Sequence, residues 1–310
     1  MSWSKRGVVF HADGQFPWMA HHACVPVPDQ IGEDRLRIYF GPRDPEGRTR
    51  VAFIEVDPAD PSNVLYVHDR PVLGLGRLGA FDDSGAMPAC LVQNGVQKYL
   101  YYIGWNRGVT VPYRNSVGLA ISRDGGVSFE RPFEGPVVDR TRDEPFFTAS
   151  PFVLKDNGLW RMWYASSTGW LTVDGQPEPL YVIKYGESDD GIEWRRENLT
   201  CIEPRHPEES NARPWVVRAA DRYRMWFCYR GSRGYRHDPR QSYRIGYAES
   251  ADGLSWDRLD DEAGIDVSKC GFDDVMITYP SVYEHRGVWH LLYNGNGFGL
   301  TGIGHAIATG

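Results

Sequence analysis

The strongest constraint on the fold is a short phrase that the chain repeats at a nearly constant spacing. Its clearest copy, NARPWVV, occupies residues 211–217, and variants occupy residues 85–91, 148–154 and 278–283. The prolines of these four copies stand at positions 88, 151, 214 and 280, so the steps between them are almost equal. Counting the longest of these steps back from Pro88 leads to His22. With a copy at His22, the phrase occurs five times in 310 residues. Such a period predicts repeated supersecondary units that stack into one architecture.

Each copy is followed by short apolar segments that are separated by polar turns. In the fourth unit these segments cover residues 214–217, 223–229 and 243–249, and another begins at Trp256. Short runs of aromatic and β-branched residues between Asp, Asn and Gly turns predict antiparallel strands. Three turns share the pattern Ser-x-Asp-Gly, with the aspartates at positions 124, 190 and 252. We expect each Asp to accept turn amides and each Gly to adopt a positive φ, which is a structural role.

The two ends of the chain predict how the repeats close into a ring. The sequence stops after a third strand, whereas residues 2–10 resemble the fourth-strand segment that begins at Ser255. We therefore expect the N-terminal segment to complete the last unit. Five units of four antiparallel strands, closed in this way, make an all-β five-bladed β-propeller. A single propeller domain is expected over residues 1–310.

Composition and charge narrow the partners and the compartment. A net charge of -7 and an isoelectric point near 5.7 argue against nucleic acid as the main partner. The apolar segment at residues 8–10 is far shorter than a signal sequence, and no run reaches the ~18–20 apolar residues of a membrane span. The five cysteines form no CxxC pair and are expected to be buried thiols. These features predict a cytoplasmic protein without a membrane partner, and the oligomeric state stays open.

Two motifs that bind cofactors or metals in other proteins are discounted. Residues 74–79 match the dinucleotide pattern GxGxxG, but another loop follows where a Rossmann fold needs a helix. His21 and His22 are neighbours on an expected strand, so their side chains point to opposite faces. We therefore assign neither a cofactor nor a metal, although metal binding by these two histidines stays open.

Two sets of loops gather on one face of a propeller and carry the candidate site. The loops that lead into the inner strands, here called the lead-in loops, contain acids at similar offsets before the repeated phrase. The loops between second and third strands are the longest and most variable, and function concentrates in such loops on a rigid scaffold. The lead-in acids are Asp82, Asp83, Asp143, Glu144, Glu208, Glu209, Asp273 and Asp274. The second-to-third loops contain Arg43, Asp44, Trp105, Arg107, Tyr113, Arg114, Trp170, Glu178, Arg230, Arg233, Tyr235, Arg236, His237, Arg244, Asn294 and Asn296.

Acids beside aromatic rings and planar donors suit a polyhydroxylated ligand. Paired carboxylates can protonate a leaving oxygen and activate water when their surroundings raise one of the two pKa values. Trp and Tyr stack on the apolar face of a sugar ring, while Arg and Asn bind its hydroxyls. The surplus of arginine further indicates a negative group on the ligand, such as a uronate, a sialate or a phosphate. The alternative is that the acids cap turns and pair with the arginines as a solvated network.

Together these features resemble the five-bladed propellers of glycoside hydrolase families 43, 32, 68 and 130. The likeness is carried by the proline-containing inner strands, by the second strand RMWY at residues 161–164, and by the turn ESADGLSW at residues 249–256. For the furanosidases and xylosidases of that group, the resemblance implies an Asp base on the first inner strand, a second Asp on the next and a Glu acid on the third. The corresponding residues here are His21-His22, Met87-Pro88 and Ser150-Pro151. The implied inner-strand carboxylates are therefore missing.

The first hypothesis is a carbohydrate-active enzyme that cleaves or transfers a glycosyl unit of an acidic or phosphorylated saccharide in the central funnel. Lead-in acids replace the missing carboxylates, with Glu144 and either Glu209 or Asp274 as acid and base. The predicted catalytic residues are Glu144, Glu209, Asp274 and Asp83. The predicted substrate-binding residues are His22, Arg107, Arg114, Trp170, Glu178, Arg213, Arg230, Arg244, Tyr279 and Asn296.

Two other hypotheses stay open beside the enzyme. A propeller that has lost its carboxylates would bind carbohydrate without catalysis. A scaffold for protein partners would present a flat apolar face and no pocket. Two carboxylates within roughly 5–10 Å of each other across a pocket would favour hydrolysis. Acids that are all locked in arginine pairs would favour binding alone.

Overall fold

The computed structural model describes residues 1–219, 221–236 and 238–309, and within them five antiparallel sheets form the blades of a ring. The innermost strands of the five blades contact one another around a central channel. Strand β1 (Ser2–Phe10) belongs to blade five. Blade one contains β2 (His21–Gly32), β3 (Arg35–Arg43), β4 (Ala52–Val56) and β5 (Val64–Val67). Blade two contains β6 (Gly85–Asn94), β7 (Gln97–Arg107) and β8 (Tyr113–Ser122).

The remaining three blades follow the same order from the channel outward. Blade three contains β9 (Thr148–Asp156), β10 (Leu159–Val173), β11 (Gln176–Ser188) and β12 (Thr200–Ile202). Blade four contains β13 (Glu209–Arg218), β14 (Tyr223–Gly231), β15 (Arg244–Ser250) and β16 (Asp257–Arg258). Blade five contains β17 (Thr278–His285), β18 (Val288–Asn294), β19 (Ile303–Thr309) and β1. A 3-10 helix (Asp260–Glu262) and a short helix α1 (Asn296–Gly299) lie in loops.

The predicted closure of the ring is confirmed. Strand β1 pairs antiparallel with β19, from Ser2 opposite Thr309 to Phe10 opposite Ile303, and so forms the outer strand of blade five. Blade two differs slightly from the other four. Its described part has three strands, and an isolated bridge between Ile121 and Glu130 takes the place of a fourth.

The repeated phrase contains a backbone bulge at its proline in four blades. The residue before the proline has a φ of 56° at Val25, 48° at Ser150, 55° at Arg213 and 54° at Tyr279. This left-handed conformation is uncommon for residues that carry a side chain, and a following proline restricts the backbone further. At each bulge two residues of the inner strand lie opposite one residue of the second strand. The bulge therefore sets which side chains face the channel.

The bulge also corrects the position of the first copy of the phrase. Cys24 pairs with Gly41 in blade one as Ala212 pairs with Cys228 in blade four, so Val25 is the counterpart of Arg213. The proline of the first copy is therefore Pro26, and its step to Pro88 is close to the two shorter steps that follow it. The longest step belongs to blades four and five, whose connection is longer. His22 is thus the wrong position for the first copy.

The three Ser-x-Asp-Gly turns join neighbouring blades. In each turn the Ser hydroxyl and the Asp carboxylate accept backbone amides, and the glycine has a positive φ. Tyr39 of blade one donates to the Gly126 carbonyl at 2.8 Å, and Tyr101 of blade two donates to the Gly191 carbonyl at 2.7 Å. Trp163 of blade three donates in the same way to a turn of blade four, at 2.8 Å. These contacts confirm the structural role that the turn pattern predicts.

Four of the five cysteines are buried, and the helices are short. Cys24, Cys90, Cys201 and Cys228 are buried, as expected, while Cys270 is exposed. All five thiols are free in the described parts of the chain. Neither of the short helices found there has the length or the apolar character to span a bilayer.

Candidate functional site

Three lead-in acids form buried clusters, each with a second-strand tyrosine and a basic side chain from the outer part of its blade. In blade two, Asp82 accepts hydrogen bonds from Tyr102 Oη at 2.8 Å and from Arg131 Nε at 2.7 Å. In blade five, Asp273 accepts from the counterpart tyrosine at 2.9 Å and from Lys5 Nζ at 2.6 Å. In all three clusters the tyrosine follows the acid by 20 residues. The three acid–tyrosine–base clusters are Asp82–Tyr102–Arg131, Glu144–Tyr164–Arg196 and Asp273–Tyr293–Lys5.

Glu144, a predicted catalytic residue, belongs to the cluster of blade three. Its carboxylate accepts from Tyr164 Oη at 2.9 Å and from Arg196 Nη1 at 3.3 Å, and the residue is only 3% exposed. Lys184 Nζ lies 4.0 Å away. Glu144 borders a cavity of about 330 Å³, which Trp194 and Arg196 of the same blade also line. The carboxylate is thus held by framework residues of its own blade.

Glu209, the second predicted catalytic residue, has a similar position in blade four. Arg258 Nη1 donates to its Oε1 at 2.6 Å, and the backbone amide of Arg205 donates at 3.3 Å. Phe227 stands where the three clusters have tyrosine, and the Arg258 guanidinium lies 5.3 Å from its ring. In blade one the corresponding residue is Phe40, which packs against Phe10. Blade one therefore has an apolar cluster where the other blades have an acid.

A glycine on the third strand makes room for the ring of a cluster. A Cβ atom on Gly118 would lie 2.2 Å from the Tyr102 ring, and one on Gly304 would lie 2.6 Å from the Tyr293 ring. The tyrosine crosses the third strand at the glycine, and its hydroxyl reaches the acid of the lead-in loop. The local sequence therefore arranges these acids as part of the blade framework.

The other two predicted catalytic acids lie in loop networks. Asp83 accepts hydrogen bonds from the Gly79 amide at 3.0 Å and from Ser84 Oγ at 2.9 Å. Asp274 accepts from Asn296 Nδ2 at 2.7 Å. Neither Asp83 nor Asp274 is among the described residues that line the central cavity.

All five blades contribute residues to a central cavity of about 330 Å³. Eight of its 19 lining residues are aromatic and two are cations, and no carboxylate occurs among the described lining residues. The aromatic residues are Trp105, Tyr113, Phe147, Tyr181, Tyr235, Tyr243, Tyr279 and Phe298. The other lining residues are Val25, Arg43, Gly47, Met87, Ile103, Asn115, Ala149, Ser150, Ala165, Ala212 and Arg236.

The two cations of the lining have different surroundings. Arg43 Nε is buried and has no hydrogen-bond partner among the described residues. Arg236 forms an ion pair with Glu178, whose Oε2 also accepts from Tyr235 Oη at 3.1 Å. Glu178 borders an adjoining cavity of about 380 Å³, which shares Tyr235 and Arg236 with the central one. Glu178 is thus a carboxylate that lies near the central cavity, behind the side chains of Tyr235 and Arg236.

Arg230, predicted to bind substrate, instead supports the aromatic wall. The residue is 1% exposed, and its Nε donates to Tyr181 Oη at 3.1 Å and to Tyr243 Oη at 3.3 Å. Its other donors reach the carbonyls of Pro179 and Gly231 at 2.7 and 2.9 Å. The two tyrosine hydroxyls also contact each other. Arg230 thereby fixes two hydroxyl groups at the cavity surface.

Tyr279 and Trp170, the predicted stacking residues, have different places. Tyr279 lines the cavity at the bulge of blade five. Trp170 packs edge-on against Tyr113 and Phe147, with ring centroids 5.7 Å apart in each case, and so backs the aromatic wall. His22 lies beside Arg43, and its Nδ1 is 2.6 Å from His21 Nδ1. The expectation that these two side chains point to opposite faces is therefore wrong, because His22 has a φ of 63° and interrupts the alternation of a regular strand. Burial, with the nearby Arg43 charge, lowers the pKa of His22 to about 3.

The other predicted binding residues lie outside the cavity lining. Arg213 is fully buried behind it, and Arg114 is exposed. Arg107 donates to the backbone carbonyl of Glu46. Arg244 donates to the Val275 carbonyl at 3.0 Å and borders a polar cavity of about 700 Å³ on the flank of blade four. Asn296 Oδ1 accepts from the amides of residues 275 and 276. His237 lies outside the described residues.

Sequence reasoning missed several cavity residues that the repeat could have indicated. Asn115, Tyr181 and Tyr243 each stand two residues before a buried third-strand residue, namely Val117, Ile183 and Ile245. All three line the cavity. An alignment of the third strands would have placed them at one position of the repeat. Phe147 and Phe298 lie in loops and have no such signal.

Comparison with known proteins places the chain in a family. No protein-family model matches it. The chain is 42% identical over 308 residues to the uncharacterized protein Rv1502 of Mycobacterium tuberculosis strain H37Rv, and the match covers 99% of each chain. The chain belongs to the Rv1502 family. The uncharacterized protein MT1551 of strain CDC 1551 matches over the same length with the same identity.

Solved structures relate the Rv1502 family to glycoside hydrolase-like propellers. A structure named glycoside hydrolase superposes with a TM-score of 0.76 at 16% identity, over 99% of this chain and 91% of that one. A thermostable family-43 glycoside hydrolase has a TM-score of 0.65 at 16% identity, over 92% and 88% of the two chains. A glycosyl hydrolase from Bacteroides ovatus has a TM-score of 0.70 at 15% identity, over 94% and 85%. At these identities the likeness concerns the fold, and it confirms the resemblance predicted from the sequence.

Proposed function

We propose that this protein binds an acidic or phosphorylated saccharide in the central cavity and does not hydrolyse it. The observation that carries the proposal is the cavity lining, which has eight aromatic residues and two arginines but no carboxylate among its described residues. Aromatic faces pack against sugar rings, and guanidinium groups bind carboxylates or phosphates in a planar, bidentate geometry. Hydrolysis by the common glycosidase routes needs two carboxylates that flank the scissile bond.

The arrangement of the lead-in acids supports binding rather than hydrolysis. Glu144 and Glu209 are almost fully buried and are paired with Arg196 and Arg258. Both oxygens of Glu144 and Oε1 of Glu209 accept hydrogen bonds from framework donors. Both acids also border other cavities than the central one. These two acids therefore act in our proposal as structural residues.

A ligand screen with matched neutral sugars tests the proposal. Isothermal calorimetry would measure binding of uronic-acid and sialic-acid oligosaccharides, sugar phosphates and their neutral counterparts. We expect saturable binding of an acidic or phosphorylated member and weaker binding of its neutral counterpart. Mass spectrometry of each bound ligand after prolonged incubation would detect cleavage. Cleaved product would overturn the non-catalytic part, and equal affinity for acidic and neutral sugars would overturn the anionic part.

One contact favours a second candidate function, the cleavage or transfer of a glycosyl unit. Tyr235 lines the central cavity, and its hydroxyl lies 3.1 Å from Glu178 Oε2. Some glycosidases use a tyrosine nucleophile, and an adjacent carboxylate can accept the phenol proton. The bond from the phenol oxygen to the anomeric carbon forms as the glycosidic C–O bond breaks, and solvent water protonates the leaving oxygen. The guanidinium of Arg236 forms an ion pair with Glu178 and so holds this carboxylate beside the Tyr235 hydroxyl.

Two conservative variants separate this candidate from binding alone. Tyr235→Phe and Glu178→Gln remove the nucleophile and its base and leave the cavity volume nearly unchanged. If the second candidate is right, wild-type protein releases product while both variants bind the ligand without releasing it. Absence of turnover in the wild type on every ligand that binds would rule the candidate out.

A further inference from the structure

Arg213 lies at the centre of the ring rather than at the surface of one blade. It stands at the bulge of the inner strand of blade four and is completely buried. Its Nη2 reaches the carbonyl of Pro26 in blade one, at 3.4 Å. Blades one and four are not neighbours in a five-membered ring, so the side chain extends across the channel. Its guanidinium is also 5.2 Å from the ring of Trp215.

The guanidinium of Arg213 lacks the partners that a buried cation normally has. Nε and Nη1 form no hydrogen bond with any described residue, and the contact to Pro26 is at the limit of hydrogen-bond length. Arg230 is a useful comparison, because it is equally buried on the next strand but donates to three hydroxyls and two carbonyls at 2.7–3.3 Å. Nothing comparable surrounds Arg213 among the described residues.

The ionisable groups near Arg213 do not supply a negative charge. They are the thiols of Cys90 and Cys228 and the phenol of Tyr279. Burial raises the pKa of each of the two thiols to about 11 and raises the pKa of Tyr279 well above its ordinary value. Burial lowers the pKa of Arg213 only to about 10. At neutral pH the channel therefore contains a positive charge and neutral neighbours.

A buried charge without a counter-charge is costly, and proteins generally compensate it with an anion or with a titration. We propose that Arg213 binds a small monovalent inorganic anion, of the chloride class, on the axis of the channel. The two unpartnered nitrogens, the complete burial and the position across the axis support this site. It lies behind the lining of the central cavity and does not depend on the saccharide proposal.

The surroundings favour a halide over a larger oxyanion. Arg213 has no solvent-exposed surface, and its neighbours are thiols and aromatic rings that donate few hydrogen bonds. A phosphate would need several strong donors to replace its hydration, whereas chloride is satisfied by a guanidinium and weakly polar, polarisable contacts. The carboxylate of a saccharide would have to pass the lining residues Ser150 and Tyr279, which stand at the same level of the ring.

Thermal unfolding at constant ionic strength tests the site. Sodium chloride would replace sodium gluconate stepwise for the wild type, for Arg213→Met and for Arg70→Met, in which an exposed arginine is removed. We expect the unfolding midpoint of the wild type and of Arg70→Met to rise saturably, by roughly 2–5 °C at a hundredfold excess over Kd. The midpoint of Arg213→Met should not respond. An equal response in all three proteins would overturn the site.

A second measurement on the wild type keeps the proposal testable if Arg213→Met does not fold. Crystals soaked in sodium bromide should show an anomalous-scattering peak within hydrogen-bond distance of Arg213 Nε or Nη1. Water at that position, without an anomalous signal, would contradict the proposal. The same holds if an acidic saccharide is found with its own anionic group on Arg213.

Discussion

Arginines on the outer side of the blades and arginines in the channel have opposite surroundings. Arg131, Arg196 and Arg258 each face a buried lead-in acid at 2.6–3.3 Å. Arg43 and Arg213 form no ion pair with any carboxylate in the part of the chain that the structure describes, and each has a buried nitrogen without a partner there. The outer arginines are thus neutralised by the protein, whereas Arg43 and Arg213 have no counter-charge among the described residues, which is the basis of both binding proposals.

This difference shows that a carboxylate in a lead-in loop can stabilise the framework of its blade instead of contacting a ligand. The lead-in loops contain several carboxylates, but the blade framework uses the buried ones. Carboxylates are therefore abundant in the lead-in loops and yet absent from the described lining of the central cavity. Counting acids near a funnel consequently does not identify a hydrolytic site, because the partners of each acid decide whether it can act on a ligand.

The largest expected effect is a loss of stability when a buried lead-in acid is neutralised. Glu144→Gln removes a buried charge that faces Arg196 and Tyr164, so we expect a loss of about 2–4 kcal/mol in the free energy of unfolding. Urea denaturation would measure the loss. The matched control is Asp143→Asn, whose carboxylate is exposed and should cost less than about 0.5 kcal/mol. A stable Glu144→Gln protein that has lost a ligand-dependent activity would reverse our assignment.

The free energy of unfolding is also expected to depend on pH, because of two buried histidines in blade five. His290 Nδ1 lies 2.9 Å from His305 Nε2, and burial lowers their pKa values to about 4 and about 3. The folded state then binds fewer protons than the unfolded state, whose histidines have the ordinary pKa of 6.5. This contribution to stability is complete above pH 6.5 and falls as the pH drops toward 3.

Urea denaturation at pH 7 and pH 5 measures the effect of the histidine pair. We expect the wild type to lose about 2–4 kcal/mol over this interval. In His305→Gln the loss should be smaller by roughly 2 kcal/mol, because one buried histidine no longer titrates while His290 and His22 still do. An identical pH dependence in both proteins would show that other groups cause it.

On the channel side, Arg43→Met should weaken binding of an acidic saccharide by roughly 10- to 100-fold, which corresponds to one lost hydrogen bond to a charged group. The affinity for the matched neutral sugar should change by less than about threefold. Calorimetry with both sugars measures the difference. Equal losses for the two sugars would mean that Arg43 shapes the cavity and does not recognise charge.

The smallest expected effect concerns the hydroxyls that Arg230 fixes. Tyr243→Phe removes one of the two hydroxyls and keeps the ring that lines the cavity. We expect a loss of affinity of about fivefold, or ~1 kcal/mol, for any saccharide that uses this hydroxyl. The control is Tyr247→Phe in the same blade, whose hydroxyl donates to Glu249 and does not line the cavity. An effect of equal size in the control would point to a change in stability instead.

Much of the fold could be predicted because its signals are local and repeated. The proline phrase counts the blades, the Ser-x-Asp-Gly turns mark the hairpins, and residues 2–10 carry the pattern of a fourth strand. The first copy was harder to position, because the step between copies varies with loop length. Its register became visible only through the bulge at Val25 and the pairing of Cys24 with Gly41.

The candidate site was less predictable because its contacts join distant parts of the chain. The sequence indicates that Asp82 and Glu144 lie in lead-in loops, but their bases follow 49 and 52 residues later. The sequence likewise shows Arg213 beside the proline of its phrase, whereas its carbonyl contact is 187 residues away in blade one. Spacing along the chain does not show which way such side chains turn.

The sequence by itself determined the number of blades, the order of strands and the closure of the ring, because a regular period and local turn chemistry suffice for these features. Only the tertiary structure decided which charges are neutralised. That outcome depends on the direction of each side chain at a bulge and on the residues that neighbouring blades bring to it. Buried acids therefore joined the framework, and Arg43 and Arg213 were left without a carboxylate partner among the described residues.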